Sequence, residues 1–144
     1  MKANELMIGD WVLTLDSTHK EKVFAQVDAI EEGQHSILVT RECSNWFVDI
    51  DWIEPILLTP EILEKNGFVP KFSDGGLTKY LIYKDIVDGL HEMYMRIFYF
   101  NTKEKEHKLE CFDCRTGGIQ IWIKYVHQLQ HALRLCGIEK EIVL

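Results

Sequence analysis

From Asn45 to Trp52 apolar and polar positions alternate. Trp46, Val48, Ile50 and Trp52 fall on one side, and Asn45, Phe47, Asp49 and Asp51 on the other. A period of two is that of a half-buried strand. The same period recurs in "EKVFAQVDAI", where Val23, Ala25 and Val27 alternate with Lys22, Gln26 and Asp28. "DWVLTLD" after Gly9, and "HSILVTR" after the turn at Glu32-Gly33-Gln34, complete a set of four short strands. Strands this short and this closely spaced predict a small antiparallel β lobe over residues 1–56, either a curled sheet or an SH3-like barrel.

The period changes at "LLTPEILEKNGF". Thr59 has the side chain of a helix cap, and Pro60 occupies the first helical position, where its missing N–H costs nothing. Leu58 and Leu63 are placed to staple the entry, and Gly67 supplies a left-handed stop, so a short helix is expected over 60–66. "KYLIYKDIVDGLHEMYMRIFYF" then reads as a hairpin about Asp88-Gly89. In that register Ile82 faces Met95, and Tyr80, Ile82, Ile86, Met93, Met95 and Ile97 share a core face. It also sets Asp85 against Glu92, a repulsive pair. "NTKEKEHK" reads as a charged loop. "LECFDC" and "GIQIWI" read as two more strands, and a helix is expected from about Lys124 to Cys136, ended by Gly137. The fold class is α+β: the β lobe, a connecting helix, then a second antiparallel sheet packed by a C-terminal helix over 57–144. No linker separates the two parts, which favours one unit.

Composition bounds the chemistry. The 144 residues are 47% apolar and 27% charged, the balance of a globular domain. No apolar run approaches the ~18 residues that span a bilayer. No apolar segment follows Lys2 as in a secretory leader, so a cytoplasmic location and reduced cysteines are expected. The net charge of −7 lies entirely within residues 1–55, where four Lys/Arg meet eleven Asp/Glu; the rest is balanced. Such a lobe repels a phosphate backbone, and nucleic acid is not the expected partner there.

"CFDCRTGGIQIWIKYVHQLQH" holds Cys111, Cys114, His127 and His131 at the spacing of a Cys2His2 zinc finger. Its context argues otherwise. On a helical wheel Val126, Leu129, Leu133, Cys136 and Tyr125 form the apolar stripe, and both histidines fall on the opposite, solvated side near Arg134. Gly118 and Lys124 stand where a finger needs apolar residues. The expectation is therefore strand cysteines and surface histidines, with no metal and no cofactor. A zinc-stabilised nucleic-acid-binding protein using those four residues is the alternative. Nothing marks an orienting group or oxyanion hole for a Cys–His nucleophile pair.

Other motifs are silent. "SDGGL" and "TGGI" match no phosphate-binding pattern, and no G-x-S-x-G or H-E-x-x-H is present. The aromatics between Tyr80 and Phe100 are interleaved with few basic residues and read as packing. In "DIDWIE", Asp49, Asp51 and Glu54 form a carboxylate row suited to a basic protein partner. Finally, "ANELMIGDWV", "IEPILLTPEILEKNGF" and "IKYVHQLQHALRLCGI" together resemble a family of short uncharacterised proteins encoded in Bacteroides and related gut bacteria, often in phage-like or mobile-element regions. The resemblance implies a source and a genomic setting and assigns no catalytic residue. The expected function is a non-enzymatic interaction or accessory protein. An enzyme of unrecognised type is the further alternative.

Overall fold

A computed structural model describes residues 3–30, 35–71, 77–84, 93–100, 106–113 and 117–144. The hairpin tip at Asp88-Gly89, the Asp85/Glu92 pair, the Glu32-Gly33-Gln34 turn and Cys114 lie outside them. The chain divides into two units. One comprises Met1–Leu57 with Tyr125–His131, and the other Leu58–Lys124 with Ala132–Leu144.

In the first unit, β1 (Trp11–Leu15), β2 (Lys22–Ile30), β3 (Ser36–Arg41), β4 (Ser44–Asp49) and β5 (Glu54–Pro55) form one antiparallel sheet in the order β4-β3-β2-β1-β5. A four-strand meander whose fifth strand returns to β1 is an SH3-like connectivity. Among the described residues it forms a curled sheet, with β4 and β5 at its edges. Alternation places Val12, Ala25, Val27, Ile37, Val39 and Val48 in one buried cluster with Leu6 and Ile53. These residues face one another in register: Val12 opposes Ala25, Val27 opposes Val39, and Ile37 opposes Val48. A register shift between Val27 and Ala29 bends β2, as an extra residue in one strand does. The bend lets Trp46 on β4 donate from Nε1 to the Leu15 carbonyl on β1, at 3.0 Å.

The strand at 45–52 stops earlier than its alternation suggests. Asp49 takes the amide of Asp51 on Oδ1 at 2.9 Å and caps one 3-10 turn, Ile50–Trp52. A short acceptor side chain that captures the amide two residues on competes with the strand ladder. The phase then slips: Ile53 is buried, and Trp52 is 47% exposed rather than in the core.

In the second unit, α1 (Pro60–Lys65) starts as expected, with the Thr59 hydroxyl accepting from the Ile62 amide. It ends at Gly67, whose φ of 75° lets the Phe68 amide reach the Leu63 carbonyl at 3.0 Å. β6 (Val69–Lys71), β7 (Leu77–Lys84), β8 (Met93–Phe100), β9 (His107–Asp113) and β10 (Gly117–Ile123) make a sequential antiparallel meander. Ile82 opposes Met95, as the hairpin reading required. Tyr80, Met95, Ile97, Leu109, Cys111 and Ile123 are buried on one face. On the other face Lys79, Phe98, Lys108 and Trp122 stand side by side across four strands. Both lysine ammoniums there sit 5.9 Å from the Phe98 ring centre. The charged stretch before β9 is shorter than expected, because His107 is already a fully buried strand residue.

α2 (Val126–Leu135) closes with Gly137 at φ 63° and the Ile138 amide on the Leu133 carbonyl at 2.8 Å, the expected Schellman-type stop. Its polar side is solvated only in part, with Arg134 exposed and His131 half-buried. His127 is 4% and Gln130 6% exposed, beside Val126, Leu129 and Leu133 at 0–1%.

Candidate functional site

The site of greatest chemical density in the first unit is built on a turn that the sequence pattern does not reveal. Gly9 has φ 84°, a left-handed value that suits glycine. It lets the chain fold between Met7 and Asp10, where the Asp10 amide donates to the Met7 carbonyl and the Met7 amide returns to Asp10 Oδ2 at 2.8 Å. The Asp10 carboxylate is fully buried. A buried carboxylate is stable only with donors around it, and α2 supplies one: His131 Nε2 lies 2.6 Å from Oδ2. The neighbouring Gln130 binds both flanking residues, its Nε2 donating to the Gly9 carbonyl and its Oε1 accepting from the Trp11 amide, each at 2.9 Å. Two consecutive helix residues thus hold three consecutive residues of the strand entry.

The pairing sets the histidine's role. A carboxylate oxygen accepts, so His131 Nε2 carries the hydrogen of this contact. One helical turn earlier, His127 meets His131 edge-on with ring centres 5.7 Å apart. The Tyr125 ring lies parallel to that of His127, within 11°, at 5.7 Å. Burial pushes the His127 pKa below its ordinary value, and the His131 neighbour acts the same way, while Asp10 and Glu5 pull against them. His127 Nδ1 is buried and has no hydrogen-bond partner among the described residues. Glu5, Pro55, Tyr125, His127, Gln128 and His131 enclose a cavity of about 550 Å³.

The expected surface position of the two histidines is therefore corrected. Their part of the helix side is polar because it meets polar partners. Of the four residues at zinc-finger spacing, Cys114 lies outside the described residues. His131 Nε2 is engaged by Asp10, and among the described residues no group of three His, Cys, Asp or Glu side chains is placed to hold a metal. Cys111 is a buried thiol on β9.

The three carboxylates named from sequence do not form one row. Asp49 and Asp51 are exposed at the cap and within the 3-10 turn, with Trp52 next to them. Glu54 is on β5, where Lys22 Nζ contacts both its oxygens at 2.6 and 2.8 Å. Across the turn, His19 packs its ring edge-on against Trp52, centres 5.1 Å apart. Asp10, Glu5, Tyr125 and Gln130 were missed. The run His127, Gln130, His131 on one helix side carries no signal of its own, because the exposed Arg134 shares that side. No protein-family model matches the chain, and no significant match is found among curated proteins or among solved structures. Among the described residues no helix is long and apolar enough to cross a membrane.

Proposed function

We propose that this chain is a non-enzymatic interaction or accessory protein, of the phage- or mobile-element-associated kind carried by Bacteroides and related bacteria. Its acidic first unit docks a basic protein partner in the cytoplasm. One observation carries the reading: the half-exposed Trp52 sits on a turn whose cap and first turn hold the exposed carboxylates Asp49 and Asp51. An indole face attracts a cation, and carboxylates beside it add charge complementarity. This unit also holds the whole net charge, four Lys/Arg against eleven Asp/Glu. Opposite charge speeds encounter and makes binding sensitive to salt.

The test is affinity capture from the native host, read by mass spectrometry at low and high salt. The unmodified protein and the Asp49→Lys/Asp51→Lys double variant are compared after circular dichroism shows both folded. The unmodified chain is expected to retain a basic protein that high salt and the double variant both release. Capture that ignores charge reversal and salt, or tight DNA or RNA binding at physiological salt, overturns the proposal.

A further inference from the structure

We propose that the cavity lined by Glu5, Pro55, Tyr125, His127, Gln128 and His131 is a seat for a guanidinium group, namely an arginine side chain presented by the basic partner. This deepens the interaction reading above and rests on it for the identity of the partner.

The sign of the ligand follows from the lining. Glu5 brings a carboxylate, the buried Asp10 stands behind His131, and among the described residues neither Lys nor Arg lines the cavity. The surrounding unit has seven more acidic than basic side chains. An anion is disfavoured on every count, and a cation is drawn in.

The shape then selects among cations. Tyr125 and His127 present parallel rings 11° apart in orientation, and a flat delocalised cation stacks on such faces. Its edge N–H groups fork toward a carboxylate of the Glu5 kind and toward the second lone pair of the Gln128 amide oxygen, which already accepts from the Tyr125 amide at 3.1 Å. Pro55 supplies an apolar wall for the methylenes of the stem. An ammonium is compact, strongly hydrated and unable to stack, so it uses this lining less well. A cavity of about 550 Å³ lies within the size of ordinary small-ligand sites and takes an arginine side chain with room for water.

The rings are fixed before any ligand arrives. Asp10 holds His131, and both His131 and Tyr125 pack against the His127 ring. Burial also holds the His127 pKa below its ordinary value, which favours an uncharged ring there. Preorganised walls avoid an ordering cost on binding.

The test uses the full chain and N-acetyl-arginine amide as probe, followed by NMR of the Tyr125, His127 and His131 ring signals. Saturable shifts are expected in a range on the order of millimolar, as for a fragment of this size. The citrulline analogue, equal in shape but uncharged, is expected to cause none, and the lysine analogue to bind more weakly. Glu5→Gln should weaken the arginine probe by about three- to fivefold, and Tyr125→Leu should abolish the ring-current shifts. Absence of saturable shifts overturns the inference, as does equal binding of citrulline or lysine amide. Indifference to both substitutions, in variants whose circular dichroism matches the parent, overturns it too. Asp49→Lys/Asp51→Lys should leave the probe's shifts in place while releasing the partner. Loss of the probe with partner capture retained therefore sinks the guanidinium seat alone.

Discussion

His107 shows what a single buried titratable residue imposes on the second unit. Its ring stacks on Tyr99 at 4.0 Å, and its Nδ1 accepts from the Phe100 amide at 3.2 Å. The proton must then sit on Nε2, which is buried without a well-formed hydrogen bond. Burial drives the pKa down to about 4, opposed only by the Leu58 backbone. An unfolded chain takes up a proton near pH 6.5 that the folded chain refuses until about pH 4. Stability should therefore be full above pH 6.5 and fall as pH drops toward 4, by roughly 2–3 kcal/mol from this residue. His127 adds to the same trend. Denaturant midpoints across that window should show the loss, and His107→Phe should flatten part of it; an unchanged slope in the variant would refute the assignment. The first unit offers a companion case. Removing His131 by substitution with Ala strips a charge-assisted partner from the fully buried Asp10 and should cost on the order of 1–3 kcal/mol, far more than a surface histidine. A midpoint unchanged from the parent would return His131 to the solvated side of the helix.

At the scale of the element, the features legible from sequence are those in which local chemistry decides. The start of α1 at Thr59-Pro60 and the stops at Gly67 and Gly137 need only a cap side chain and a residue that tolerates positive φ. The pairing of Ile82 with Met95 follows from period two on both strands. The illegible features depend on partners far along the chain. Nothing near Asp10 announces a residue 121 positions later, and the wheel of α2 shows an apolar stripe without showing that its polar side is occupied as well. The end of β4 is an intermediate case, since Asp49 could have signalled the turn by its own chemistry. Two substitutions separate these levels. At Gly67 nothing lies within 4 Å of where a Cβ would stand, so Gly67→Ala meets only the left-handed backbone penalty, roughly 1 kcal/mol. Leu129→Ala and Leu133→Ala remove fully buried side chains and should each cost about 2–5 kcal/mol. Chemical denaturation orders them; a Gly67 variant as damaging as the leucine variants would mean that the stop is constrained by more than φ.

For the molecule as a whole, chain order and structural unit do not coincide. The strands of the first unit are complete by Pro55, yet the unit also needs Tyr125–His131 from beyond the second sheet. Those residues satisfy groups that the strands leave open. The Val126 amide donates to the Ile56 carbonyl at 2.9 Å, Gln130 bridges Gly9 and Trp11, and His131 pairs with Asp10. A fragment ending at Leu57 would carry a carboxylate evolved for burial beside backbone groups with no donor or acceptor supplied, in a piece of under 60 residues where the core is marginal anyway. Residues 1–57 alone should therefore give poorly dispersed amide spectra and no cooperative melt. A synthetic Tyr125–Cys136 peptide added in trans should restore dispersion, because it returns the same partners, and the Gln130→Ala form of that peptide should restore less. If residues 1–57 alone melted cooperatively near the intact protein's temperature, the helix would be an accessory to the first unit and not a part of it. If the peptide bound without ordering Gly9, Asp10 and Trp11, the hydrogen bonds to that segment would not be what completes the unit.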